Sequence, residues 1–359
     1  MTIDGKTTMK ALVLKAPYKV AYADVPMPKI VEDGDVIVKV LYTGLCGSDL
    51  HWYRGHQSWS GADVILGHEF IGVVAEVGPS VKLFKPGDKV VAPFTCQCGE
   101  CFYCGRGASS RCEKVKVYGT AAFTGVQSEF AYVAMGDSTL VHAPEDLSPQ
   151  SLILMADIFP TGYWVARNAF RMLQDAAKAS DTTCLVIGCG PVGLCAITAA
   201  THFFGKVYAT DPVEARRQQA VKQGASRAFA LTDLDEAVKT ETNGRGFDAV
   251  LEVVGNARAL DVAMTHVRTF GAVASCGVHA GASHDGEPTI TRQALYNKNL
   301  SIQFGRCPVR SVFDDALACL RQHDKLFSSF VQHTVPLARG PEFYAEFEAQ
   351  RILKTIFTP

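Results

Sequence analysis

The sequence has almost no net charge, no long apolar run and no repeated or biased segment, and each absence removes a class of function. Its 359 residues carry a formal net charge of −1. That leaves no electrostatic case for nucleic acid or an anionic membrane as a partner. No apolar run reaches the roughly 18 residues that span a bilayer. The opening MTIDGKTTMK is polar and mixed in charge, without the apolar stretch of a signal peptide. No internal repeat, low-complexity tract or linker interrupts the chain. What it does have is twelve cysteines. Without a secretory signal these point to a reducing compartment, with the cytoplasm as the expectation and some thiols on metal. The length exceeds what one hydrophobic core usually serves, so two domains are expected.

Four of the cysteines, Cys98, Cys101, Cys104 and Cys112, are spaced C-x2-C-x2-C-x7-C. Thiolates this dense suit tetrahedral zinc, and a four-Cys site is normally closed and structural. A disulfide cluster is the alternative. Cys96 lies outside the spacing and reads as a free thiol. Cys184, Cys189, Cys195, Cys276, Cys307 and Cys319 sit among apolar residues and read as small core side chains.

From Met9 to about Val141 the chain reads as short strands, among them MKALVL, DVIVKVLYTG and EFIGVVAEVG, punctuated by turn residues such as Pro86, Gly87 and Asp88. A helix is expected from about Pro149 to Ala156 and another after Pro160. Near Asp181 the pattern changes. Six buried-strand runs, at 184–188, 207–211, 228–231, 249–254, 272–277 and 300–304, are mostly separated by helix-length segments. This predicts a doubly wound parallel sheet. The tail holds an amphipathic helix, VFDDALACLRQ, and a last strand near Ile352 to Phe357. It is too short for a third domain and is expected to pack on the first.

The first of the six runs leads into Gly188-Cys-Gly190-Pro191-Val192-Gly193 and an Ala-rich helix, and the second ends in Asp211. With a strand before, a helix after and an acidic residue eighteen positions on, this is a dinucleotide fingerprint in its required context. Gly188 allows the turn, Gly190 lets backbone approach a pyrophosphate, and Gly193 permits close helix packing. Asp211 would take the adenosine ribose hydroxyls and repel a 2′-phosphate, which favours NAD over NADP. Arg216 and Arg217 would weaken that preference. A generic βα turn is the alternative.

Upstream of the cysteine cluster stand Gly44-Leu-Cys46-Gly-Ser48-Asp49-Leu-His51 and Gly67-His68-Glu69. Cys46 and His68 are candidate zinc ligands, although a free buried Cys and a core His would be the commoner explanation for an isolated pair. Taken with Lys85-Pro-Gly-Asp-Lys-Val90, the four-Cys lobe, the glycine loop and the C-terminal strand, these motifs resemble the zinc-dependent medium-chain alcohol dehydrogenases over nearly the whole chain. The resemblance implies an α/β fold in two parts. A GroES-like β-rich catalytic domain would cover residues 1–158 and 304–359, and a Rossmann dinucleotide-binding domain residues 159–303. It also implies two zinc ions per subunit, one in the four-Cys lobe and one catalytic. Where many members have a third Cys ligand this chain has Met155-Ala-Asp157-Ile, so Asp157 resembles that ligand, as in the branch similar to glutathione-independent formaldehyde dehydrogenases. A helix-capping role is its alternative.

In the implied reaction, zinc in an open site lowers the pKa of an alcohol, whose hydride goes to NAD. Ser48 would contact the reacting oxygen and His51 would be the terminal base. Asp49 would orient His68. Glu69 would approach the metal from behind or serve a structural role. Thr161 would pack on the nicotinamide, and Lys354 would lie near the pyrophosphate or in solvent. Trp52, Tyr53, Trp59, Phe94, Phe123 and Trp164 either line a pocket for a bulky or aromatic substrate or belong to the core. The short passage after Cys112 resembles branches that are often tetrameric, and a homodimer or homotetramer is expected. The partner is thus a small alcohol or carbonyl compound, primary or secondary. Reduction of a conjugated C=C or an iminium bond, and a non-catalytic zinc- and dinucleotide-binding protein, are the alternative functions.

Overall fold

The computed structural model describes residues 5–57, 61, 63–173, 179–279 and 290–359. It divides into two compact units, Met1–Pro160 with Pro308–Pro359, and Thr161–Cys307.

The first unit is built on a mixed seven-stranded sheet. Its centre is Val36–Leu45, whose VIVKVLYTGL pattern buries Val36, Val38 and Val40 on one face. That strand pairs antiparallel with Phe70–Val77, Phe130–Val133 and the C-terminal Thr355–Thr358. Its end near Leu45 and the start of Phe70–Val77 therefore meet at one edge, with Thr43 opposite Phe70. A separate three-stranded sheet joins Lys19–Pro26, Thr8–Ala16 and Val64–Ile65.

The helix expected over 149–156 is shorter. Pro149–Leu152 is α-helical, capped by the Ser148 hydroxyl, and Ile153–Ala156 tightens into a 3-10 turn. The next helix starts before Pro160, at Ile158, and runs to Met172. Proline is tolerated there because the first turn of a helix needs no N–H from it. The last strand begins at Thr355 rather than Ile352, because Gln332 occupies the segment before it. Leu353 N–H donates to Gln332 Oε1, and Gln332 N–H donates to the Lys354 carbonyl.

The second unit carries the expected sheet. All six strands are parallel, in the spatial order Arg227–Phe229, Lys206–Thr210, Thr183–Ile187, Phe247–Glu252, Val267–Ser275, Ser301–Phe304. In chain order this is 3-2-1-4-5-6, which reverses direction between the first and fourth strands. Ligands of such sheets bind outside the carboxyl ends at that reversal. The Cys184–Ile187 stretch is buried on both faces, as a central parallel strand must be.

Lys354 departs from the expectation of a solvated side chain. Its side chain is fully buried in the first unit, where Nζ is ion-paired with the fully buried Glu69 carboxylate and donates to the Leu45 carbonyl at 3.1 Å. Burial works against the ammonium charge. Glu69, then Cys46 and Asp157, outweigh it and hold the lysine above its ordinary pKa. Truncating one partner of a buried pair leaves an uncompensated charge, so Lys354→Met is expected to lose about 3–5 kcal/mol in urea unfolding. Lys354→Met with Glu69→Gln should recover part of it. A single-variant loss under about 1 kcal/mol would mean that the pair contributes no more than an exposed one.

Candidate metal centre and dinucleotide loop

Cys46 stands one residue past the central strand, and His68 and Glu69 stand just before Phe70–Val77, so the antiparallel pairing brings them together. Gly67 precedes His68 at φ +88°, a backbone conformation open to glycine, and a Cβ there would overlap Gln127. Asp157 reaches the same point from between the 3-10 turn and the helix that follows, with φ −152° and ψ −70°. The Phe94 N–H to Ala156 carbonyl bond, 3.0 Å, holds that junction.

Cys46, His68, Glu69 and Asp157 each offer one donor atom, and the four lie within 4.8 Å of one another. His68 Nε2 is 3.3 Å from Asp157 Oδ2, and Cys46 Sγ is 3.7 Å from the same oxygen. Tetrahedral zinc would set these separations at about 3.4 Å and about 3.6 Å. Asp49 Oδ1 lies 3.0 Å from His68 Nδ1, while Oδ2 accepts the Cys46 N–H at 3.0 Å. This contact gives Nδ1 the ring hydrogen and turns Nε2 towards the cluster as a lone pair. Burial would push the His68 pKa down, but Asp49, Asp157 and Cys46 outweigh it and hold it well above its ordinary value. Burial, then Glu69, pushes the Cys46 thiol up. Both shifts report one fact: buried negative charge converges here, and a dication would neutralise it. The donor set therefore fits zinc.

Glu69 Oε2 is bound to Lys354, and its Oε1 is buried without a hydrogen-bond partner among the described residues. Gly44 packs directly on this carboxylate, which a Cβ would overlap. Ser48 Oγ lies 3.1 Å from His68 Nε2 and 3.5 Å from Cys46 Sγ. Ser48 begins the short helix Asp49–Tyr53, and His51, three residues on, shares its face. His51 Nδ1 is buried without a hydrogen-bond partner among the described residues. Burial, followed by the charges of His56 and Arg54, lowers the His51 pKa. Of the aromatic candidates, Tyr53 and Phe123 are core residues. Trp52 packs on the core, Trp164 is buried, and Phe94 meets the His68 ring edge-on at 6.3 Å. Trp59 lies outside the described residues.

The four-Cys lobe forms a second donor group within the same 4.8 Å limit. Cys98 and Cys112 Sγ atoms are 3.5 Å apart, and the N–H groups of Cys98 and Lys114 point at Cys112 Sγ. Backbone N–H groups, first that of Glu113, lower the Cys101 thiol to about 6, while burial and then Cys101 push Cys104 up to about 12. Cys96 is buried and donates to Tyr118 Oη instead.

In the second unit, Gly188 takes φ +97° and a Cβ there would be 2.6 Å from Val254. Gly193 packs on the Gly188 carbonyl so closely that a Cβ would overlap it. Gly190 differs: a Cβ would meet no atom of the described residues within 4 Å. Protein packing does not demand glycine at 190, whereas close approach of a phosphate would. Pro191 and Val192 open the helix Pro191–Ala200, whose first-turn N–H groups lack helical partners. Asp211 is buried and accepts N–H from Cys189 at 2.9 Å and Val213 at 2.8 Å. Arg216 Nη1 lies 3.9 Å from its Oδ2, and Arg217 bonds the Asp211 and Pro212 carbonyls. Thr161 is buried in this unit. The glycine loop thus fits a dinucleotide.

Sequence reasoning did not single out Gln127, which donates to the Gly44 carbonyl at 2.9 Å and accepts from Tyr344 at 2.8 Å. It also missed the Glu252, Ser275 and His279 cluster, because neither group forms a local motif.

The family model "Alcohol dehydrogenase GroES-like domain" matches residues 32–145, and "Zinc-binding dehydrogenase" matches residues 191–322. The chain is 44% identical over 353 residues to the zinc-type alcohol dehydrogenase B of Aspergillus flavus, covering 97% of this chain and 81% of that protein. It is 47% identical over 280 residues to the medium chain reductase/dehydrogenase ucsI of Acremonium sp, covering 77% of this chain and 96% of that one. Among solved structures, alcohol dehydrogenase TADH from Thermus sp. ATN1 superposes with a TM-score of 0.87 at 32% identity, over 98% of this chain and 99% of that one. The chain belongs to the zinc-dependent medium-chain dehydrogenase family, with a GroES-like and a Rossmann-like domain.

Proposed function

We propose that the protein is an NAD-dependent zinc alcohol dehydrogenase. In this reading it oxidises a primary or secondary alcohol to an aldehyde or ketone, or runs the reverse reduction. The observation that carries the proposal is the meeting of Cys46, His68 and Asp157 beside the Ser48 hydroxyl, in a chain that also has a dinucleotide loop. Cys46 thiolate, Asp157 carboxylate and neutral His68 would hold a catalytic zinc, and Cys98, Cys101, Cys104 and Cys112 a structural one. The Asp ligand favours the branch similar to glutathione-independent formaldehyde dehydrogenases. Bound zinc supplies a Lewis acid that makes the substrate hydroxyl acidic near neutral pH. Bound NAD supplies the hydride acceptor.

The residues do the rest. Asp49 orients His68 so that Nε2 faces the metal. Glu69, anchored by Lys354, keeps a carboxylate close to the cluster. Ser48 Oγ takes the proton that the substrate hydroxyl gives up, and His51 is the base at the outer end of that path. Gly188, Gly190 and Gly193, with the helix start at Pro191 and Val192, receive the pyrophosphate. Asp211 has two lone-pair sites beyond its backbone bonds for the adenosine ribose, with Arg216 at its edge. Thr161 packs on the nicotinamide.

The second reading, a reductase of the same fold, is favoured by the similarity to a protein titled reductase/dehydrogenase. Zinc analysis together with NADH production over primary, secondary and aromatic alcohols separates the two. Two zinc ions per subunit with NADH formation are expected. One zinc and no turnover of any alcohol or aldehyde would defeat the proposal. Asp157→Ala should lose one of the two zinc ions and about 10³-fold in kcat/KM, with an unchanged circular dichroism spectrum. If its activity persists, Asp157 is not a ligand.

The lowered pKa of His51 sets the pH dependence. Only the neutral ring accepts a proton, so kcat/KM for alcohol oxidation should fall as pH drops through a midpoint below about 6.5. His51→Gln should remove that acid limb and lower the plateau by about 100-fold. A limb that survives in the variant belongs to another group.

A further inference from the structure

Beyond the residues assigned above, the carboxyl edge of the second unit's sheet carries a buried polar cluster. Glu252 ends the fourth strand and is in register with Ile187 of the first, at the reversal of strand order. It is fully buried. Its Oε1 accepts the N–H groups of Val254 at 2.8 Å and Gly255 at 2.7 Å. Its Oε2 accepts the Ser275 hydroxyl at 2.6 Å and lies 3.3 Å from His279 Nε2. Ser275 Oγ is itself 3.1 Å from that nitrogen. Because Ser275 gives its hydrogen to Glu252, both oxygens near Nε2 are acceptors, and the hydrogen-bond pattern assigns the ring hydrogen to Nε2. Nδ1 is then an acceptor, on a side chain that is 34% exposed. The Phe304 ring, 5.5 Å away between centroids, packs against the imidazole.

The position of this cluster says what it would serve. Glu252, Ser275 and Phe304 are the last residues of the fourth, fifth and sixth strands. A sheet of this order binds one mononucleotide over each half. Asp211, just past the second strand, belongs to the adenosine half, so strands four to six are left for the other. Val254 and Val278 stand at the same edge, each 45% exposed, and offer apolar contact for a flat ring. We propose that His279 is a positioning residue for the nicotinamide half of the dinucleotide. Glu252 and Ser275 hold the ring in place, and Nδ1 accepts a hydrogen bond from the carboxamide N–H or a ribose hydroxyl. This inference rests on the dinucleotide reading above.

The test compares binding of NADH, ADP-ribose and ADP to the full-length protein and to His279→Ala, by titration calorimetry. NADH should bind the variant roughly three- to tenfold more weakly, the loss of one hydrogen bond, while ADP binds unchanged. ADP-ribose distinguishes the two donors: a loss matching that of NADH points to the ribose, and no loss points to the carboxamide. Equal weakening of NADH and ADP would make His279 a merely structural residue and overturn the proposal, as would no weakening at all. A wild-type protein that binds neither NADH nor ADP removes the dinucleotide reading itself, and this inference with it.

Discussion

Four acidic groups buried at one point dictate much of the first unit's construction. Cys46, Asp49, Glu69 and Asp157 are each at most 9% exposed. Such a concentration is costly to bury unless every charge is met. Lys354 meets Glu69, and Asp49 is met by the Cys46 N–H and His68. Asp157 Oδ2 lies 3.3 Å from His68 Nε2 and 3.7 Å from Cys46 Sγ, and a Cys46 thiolate with an Asp157 carboxylate would together equal the charge of one zinc ion. The arrangement therefore suits a cation by its electrostatics, before any likeness to other proteins is considered.

The two units differ in how they earn their geometry. In the second, local sequence does most of the work: strand, glycine turn and helix follow one another, and Gly188, Gly193 and Asp211 lie within one βαβ segment. In the first, each part of the site comes from a distant stretch. The edge where Val36–Leu45 meets Phe70–Val77 brings Cys46 to His68, and Gln127 and Tyr344 brace the Gly44 backbone from two further segments.

This difference decided what could be read from the sequence. The six parallel strands were legible because buried runs alternate with helix-length gaps. The antiparallel strand Lys19–Pro26 was not singled out, since it exposes much of its length and leaves no apolar run. Cys46, His68 and Asp157 were recognisable through motif and resemblance, and they converge. The burial of Lys354 was not legible for a physical reason: no spacing rule reveals that a lysine 285 positions from a glutamate will be its buried counter-ion. Glu252, Ser275 and His279 escaped notice for the same reason, because two strand ends and the segment after the fifth strand must align before they touch.

The strand Thr355–Thr358 has a further consequence. It lies inside the first unit's sheet, against Val36–Leu45, yet it is made after the whole of the second unit. During synthesis Glu69 waits for its lysine while 147 intervening residues, Thr161–Cys307, emerge and can assemble. A nascent chain thus has its second unit complete while the first unit's sheet still lacks the strand beside Val36–Leu45. The order of translation makes the Glu69 counter-ion one of the last parts of the first unit to arrive.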